Sequence, residues 1–255
     1  MKKLILFCLA AMALFSCNND DKMARLEVRL TDAPGDYDAV NIDIIGMELH
    51  TEGAGDNDGW RTIPVNGGIY NILELAGGLD TLLTAAETPA GSISQIRLIL
   101  GENNSIVVDG KEKPLSTPSA QQSGLKLNVH TTLNEGVTYT MTLDFDAARS
   151  IVQKGNGSFS LKPVIRVITE ATSGAIKGTV TPVEATPAIY AIMASGDTAT
   201  TAYANEQGAF LLRGLEPGTY TVRFSPVTGY SITDRAGIVV STGQVTDVGS
   251  VSIQQ

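Results

Sequence analysis

The 255-residue chain carries 18 basic and 27 acidic side chains, a net charge of −9. That balance argues against nucleic acid as a partner, since phosphate binding needs a basic face, and against a broad electrostatic contact with anionic lipid. Aromatic residues make up only 5% of the chain, which argues against long stacking platforms, and the length fits one or two domains.

The N-terminus reads as an export signal. Lys2 and Lys3 precede an unbroken apolar or small run from Leu4 to Phe15. The run is too short for a ~30 Å hydrocarbon core, which needs about 20 residues, and it fits the apolar region of a secretory leader. It ends in Leu14-Phe15-Ser16-Cys17. This tetrapeptide resembles the bacterial lipobox, with Phe15 bulkier than the usual residue at its place. The resemblance implies a signal peptide over 1–16, cleavage after Ser16, acylation of Cys17 and a lipidated tether over 17–23. The lipid bilayer is then a partner through Cys17. Cys8 leaves with the leader, so the mature chain needs neither thiol nor disulfide. Asn18 follows Cys17, so an inner-membrane retention Asp is missing. Asp20 and Asp21 resemble the acidic surface-export signal of Bacteroidetes lipoproteins. The expected location is the outer membrane, surface-exposed or periplasm-facing. Residues 18–23 reach about 20 Å when extended, at ~3.3–3.6 Å per residue.

Strand signals dominate the rest. Leu26, Val28 and Leu30 share a face, as do Val40, Ile42 and Ile44. The alternation then shifts to Met47 and Leu49, and the flip at Ile45-Gly46 predicts a bulge. Leu79 to Glu87 reads weakly as helix, ended by Pro89. Leu125, Leu127 and Val129 alternate with polar residues, and so do Tyr139, Met141, Leu143 and Phe145. Asp146 to Gln153 reads as a short crossover helix stopped by Gly155. Phe159, Leu161, Ile165 and Val167 share a parity, with Pro163 marking an edge or bulge. Thr169 to Ser173 is a polar joint. Beyond it come shorter strands at Ile176–Val180, Ala188–Met193, Phe210–Leu212, Tyr220–Phe224, Ile238–Val240 and Val248–Ile253. The spacing is that of a small β-sandwich. The expected fold class is all-β, with two β-sandwich-like domains over 24–168 and 174–255 joined by 169–173.

Two resemblances accompany this reading. Val28 to Pro34, Tyr37 to Asn41, Gln95 to Leu98, Gln122 to Lys126, Leu143 to Ile151 and Leu161 to Arg166 make the first domain similar to a lipoprotein family known as domain of unknown function 4382. That family implies a β-sandwich-like domain and no activity. Gly174 to Val180, Asn205 to Phe210, Gly214 to Val222, Gly229-Tyr230 and Val245 to Gly249 make the second domain resemble the carboxypeptidase regulatory-like family, a transthyretin-like sandwich. Gly208 suits a position with φ > 0, and Pro217-Gly218 suits a type II turn. Some relatives carry a Lys–Asn isopeptide. Lys177 lies on the first strand, but the last offers no Asn, so no crosslink is expected.

Candidate chemistry is sparse. His50 and His130 are the only histidines, and no G-x-S-x-G or H-E-x-x-H stretch accompanies them. A carboxylate pair acting on sugar leaves no linear signature, but a small domain with few aromatics leaves little room for a cleft. Asp32, Asp36 and Asp38 crowd one turn and could offer oxygen ligands to Ca²⁺. Turn chemistry, with Asp32 as a cap and Pro34-Gly35 as the turn, explains them more simply. Asp56 and Asp58 beside Trp60 form a candidate sugar-stacking edge, weighed against a hairpin tip and ordinary packing of the indole. Asp144, Asp146 and Arg149 read as a helix cap with an ion pair. No cofactor is expected. The expected function is a non-enzymatic, membrane-anchored module binding a glycan or another envelope protein. A structural spacer and a hydrolase of an extracellular polymer are the alternatives.

Overall fold

The computed structural model describes residues 22–33, 37–52, 59–77, 79–117 and 123–255. The first module is two sheets face to face. One contains β1 (Met23–Ala33), β5 (Thr81–Pro89), β10 (Thr138–Asp146) and β13 (Ile165–Ala171), in the order β13-β10-β1-β5. β1 runs parallel to β10 and antiparallel to β5. The other holds β2 (Ala39–Thr51), β3 (Trp60–Ile63), β4 (Gly68–Asn71), β6 (Gly91–Leu100), β7 (Ser105–Val108), β8 (Lys111–Ser116), β9 (Leu125–Leu133), β11 (Ile151–Gln153) and β12 (Phe159–Leu161). Its order is β11-β12-β8-β7-β2-β6-β9, with β3 and β4 also on β2.

The core follows the alternation. Leu26, Val28 and Leu30 of β1 lie level with Tyr139, Met141 and Leu143 of β10, and all six are buried. Each fully buried aliphatic side chain contributes roughly 1.5–3 kcal/mol. From the facing sheet come Val40, Ile42 and Ile44, then Met47 and Leu49. The register against β6 shifts between Ile44 and Gly46, and Ile45 turns outward, 58% exposed. The predicted bulge is therefore present.

Two expected helices differ. Thr81–Pro89 is a strand, because β1 needs a partner along its second edge. A register shift opposite Val28 and Arg29 leaves Leu83 and Thr84 both buried, which erases the period-2 pattern. The second helix, α1, is only Ala147–Ser150. Asp146 caps it by accepting from Arg149 N at 2.9 Å. Ile151 then pairs with Leu161, so α1 carries the chain from one sheet to the other. The run around Pro163 is likewise two strands, β12 and β13, in different sheets.

The second module is a smaller sandwich. Its strands are β14 (Gly174–Thr181), β15 (Ala188–Ile192), β16 (Thr198–Tyr203), β17 (Ala209–Leu215), β18 (Gly218–Ser225), β19 (Thr233–Val240) and β20 (Val245–Ser252). Sheets β17-β14-β20 and β16-β15-β18-β19 enclose Ile176, Val180, Ile189, Leu212, Val222 and Val251. Phe210 and Phe224 meet edge to face at 5.5 Å. Gly208 has φ +78°, and a Cβ there would lie 2.5 Å from the Val180 carbonyl oxygen. Gly218 is not among the glycines with positive φ, so the expected type II turn is absent; Gly214 takes φ +64° instead. The Tyr220 hydroxyl donates to the Glu216 carbonyl at 2.9 Å and closes that corner. Burial, and secondarily Glu216, push its phenol pKa up. On the outer face, Arg223 pairs with Asp234 at 2.8 Å.

The modules meet in a bonded seam. Most of the expected polar joint belongs to β13, which pairs with β10 as far as Ala171. Thr138 N donates to Ser173 Oγ at 2.8 Å, and Asn134 Nδ2 donates to the Gly243 carbonyl at 2.9 Å. Gly136 is the hub. Its N–H donates to the Met23 carbonyl at 2.8 Å, and its own carbonyl accepts from Gly214 N at 3.1 Å. Val245 packs on the first core.

Gly136 has φ +75°, and a Cβ would lie 3.1 Å from both Ala175 Cβ and Leu211 Cδ2. Gly136→Val combines a disfavoured φ with overpacking and should cost about 1–3 kcal/mol. Calorimetry should then show the single melt broadening or splitting as the seam loosens. The Arg223 hydrogen bond holds the Asp234 carboxyl below the usual carboxylate range. Its stabilisation is present above the unfolded pKa of ~3.9 and is lost as pH falls through the lower folded value. In melts from pH 6 to pH 2, Asp234→Asn should therefore start below the unsubstituted protein and converge with it at the acidic end. The gap is small because the pair is exposed.

Candidate functional site

Cys17, Asp36, Asp56 and Asp58 lie outside the described residues. The remaining candidates fall in separate places. Asp32, at the end of β1, is buried, and its Oδ1 accepts from Ala147 N at 3.0 Å. It thus fixes the start of α1 from a distant strand. Asp38 Oδ2 accepts from Gly110 N at 2.8 Å. Asp109 and Gly110, both with positive φ, form the two-residue turn between β7 and β8 that an Asp-Gly dipeptide signals. Among the described residues, no three His, Cys, Asp or Glu side chains converge as metal ligands would.

Trp60 opens β3 on the outer face of the larger sheet. Register aligns Trp60, His50, Gln95 and Asn128 in one row, and Thr62, Glu48, Arg97 and Lys126 in the next. The Arg97 guanidinium carbon sits 3.7 Å from the indole centroid, and Arg97 Nη1 donates to Glu48 Oε2 at 2.7 Å. Lys126 Nζ lies 5.7 Å from the same ring. The His50 ring tilts against it at 4.8 Å. A cation over an indole contributes about 0.5–2 kcal/mol. The arrangement is a cross-strand rivet, with the guanidinium over one face of the indole.

His50 Nδ1 lies 2.8 Å from Ser94 Oγ, a contact no sequence motif signals. Ser94 is the extra residue where β6 shifts register against both β2 and β9. Its hydroxyl also reaches the His50 carbonyl at 3.4 Å. His50 is only 7% exposed. The pair works as a clip across the double bulge. His130 stands on the same bulge at φ +50°.

A concavity lies elsewhere. A recess of about 770 Å³ covers the outer face of β17-β14-β20. Its floor aligns Leu211, Lys177 and Asp247, then Ala209, Thr179 and Ser250. Lys22 and Glu135 contribute the first module's part of the wall, and Tyr203 and Asn205 also line it. Lys177 Nζ is 3.8 Å from Asp247 Oδ2, and Arg213 Nη1 is 4.0 Å from Glu87 Oε2 across the seam. Sequence reasoning singled out only Lys177, for an unrelated reason.

The fold and these surfaces define an all-β, two-sandwich protein of mainly packed polar faces. Residues 23–163 match the family described as domain of unknown function DUF4382, more than half of the chain, and the protein belongs to that family. No curated protein matches it. Among solved structures, it is similar to the TIE protein of Bacillus anthracis, at 12% identity and TM-score 0.27, covering 91% of this chain and 34% of that one. A leucine-rich repeat protein of Bacteroides thetaiotaomicron gives 13% and 0.24, covering 91% and 26%. The chain therefore spans about a third and about a quarter of these two proteins. GBS52, the minor pilin of Streptococcus agalactiae, gives 9% and 0.26, covering 90% and 95%. No helix among the described residues is long and apolar enough to cross a membrane.

Arg97→Ala should remove the stack and leave Glu48, about one-fifth exposed, without its partner. The expected cost is about 1–2 kcal/mol. Because Trp60 is the only tryptophan, its emission should shift to the red in the same variant, and urea titration followed by that emission measures the loss.

Proposed function

We propose that the chain is a lipid-anchored, non-enzymatic protein of the bacterial outer membrane that binds a glycan or another envelope protein. The observation that carries this reading is the short sequence distance from Cys17 to the first described strand. β1 starts at Met23, six residues after the lipobox-like Cys17, and its first residues are bonded on both sides. Ala90 N donates to the Lys22 carbonyl at 2.7 Å, and Gly136 N to that of Met23 at 2.8 Å. A two-chain lipid on Cys17 would suffice for stable attachment, and this short connection would hold the first module against the bilayer.

The second module reads as carboxypeptidase regulatory-like. Its Asn205–Gly208 hairpin supports this, with Asn205 Oδ1 accepting from Gln207 N at 3.1 Å and Ala209 N at 2.9 Å. The seam favours a second role as spacer, since it couples the modules through backbone bonds.

The test is metabolic labelling with an alkyne fatty acid in the native host. The unsubstituted chain should label and partition into the detergent phase, and Cys17→Ala should do neither. An unlabelled wild-type chain would overturn the anchoring. Protease shaving of intact cells then assigns the face: cleavage places the modules on the surface, protection in the periplasm.

A further inference from the structure

The geometry points to the recess over β14, β17 and β20 as a binding site for an uncharged sugar chain. The inference rests on the reading of a binding protein and names its site and ligand class. Its volume, about 770 Å³, falls within the ~300–1,000 Å³ of small-ligand sites. The ring at its rim is open: Tyr203 is 73% exposed, whereas Trp60 lies under Arg97. An exposed aromatic face beside a concavity suits the C–H face of a pyranose, with the phenol hydroxyl left to hydrogen-bond.

The polar lining fixes the class. Lys22, Lys177 and Arg213 supply donors, and Glu135 and Asp247 supply acceptors. Sugar hydroxyls donate and accept alike, so a lining with both, close to neutral in sum, fits an uncharged polyol. A polyanion would face Glu135 and Asp247, and a basic peptide would face the three cations. Thr179 and Ser250 add two exposed hydroxyl side chains to the floor. Because part of the wall belongs to the first module and the floor to the second, a bound chain would touch both.

Affinity gel electrophoresis of the purified full chain in detergent, with soluble starch, xylan and galactomannan in separate gels and alginate as the acidic arm, tests this. At least one neutral polysaccharide should retard the protein. Tyr203→Ala and Asp247→Asn, each checked for folding by circular dichroism, should weaken that retardation roughly tenfold. Arg235→Ala, exposed on the far edge strand β19, should leave it unchanged. The inference falls if no neutral polysaccharide retards the chain or if only alginate does. It also falls if Trp60→Ala abolishes binding while Tyr203→Ala does not. None of these outcomes depends on acylation, so failure here and failure of the anchoring are separate results.

Discussion

One constraint organises the first module: β1 must satisfy hydrogen bonds along both of its edges. It lies between β10 and β5, and a buried strand cannot leave either row of peptide groups unpaired at a cost of about 1–3 kcal/mol per group. Parallel pairing with β10 forces the intervening chain to build most of the opposite sheet before returning. Antiparallel pairing with β5 then requires a strand wherever residues 81–89 fall, whatever their local preference. The same requirement reaches the second module, because Gly136, in the turn leading into β10, is bonded to both Met23 and Gly214.

β2 meets the corresponding demand in the facing sheet by bending. Its first half pairs with β7 and β4, and its second with β6 and β3. The bulge at Ile45-Gly46 is the joint between the halves. It was legible in the sequence because both flanking segments keep a clear period of two. The bulge opposite Arg29 was not, because it falls inside β5 and puts Leu83 and Thr84 on the same side. Leu82, Leu83, Ala85, Ala86 and Glu87 are all good helix formers, which left helix as the local reading. β16 was missed for another reason: Thr198 to Tyr203 form an edge strand with little buried apolar surface, so no hydrophobic period marks it. β14, β15, β17 and β18 of the second core were legible because each buries alternate residues over most of its length.

Sites were less legible than strands. Asp32 and Asp38 looked like one cluster, yet each bonds a different distant backbone, at Ala147 and Gly110. Short spacing in sequence did not signal either of these distant partners. Trp60 was visible as a lone indole, while its partner Arg97 lies two strands away and is placed by register alone. The recess is assembled from Lys22, Glu135, Lys177, Tyr203, Arg213 and Asp247. These come from six separate stretches, and no linear pattern joins them.

Lys22 links the proposed anchor to the proposed ligand. It is the residue before β1 and also part of the recess wall. In the proposed anchoring, the five residue-to-residue steps from Cys17 to Lys22 span at most about 18 Å, at ~3.3–3.6 Å per residue. That places one wall of the recess within a short tether of the bilayer. A ligand for such a site must itself be held near the membrane surface or thread down to it, as a flexible sugar chain can and a large folded partner cannot. The same geometry weighs against a pure spacer, whose purpose would be served by a binding surface at the far end of the molecule. Tether length, the seam and the mixed lining of the recess therefore constrain one another: lengthening the connection before Met23 would free the site from the membrane without altering a single contact inside it.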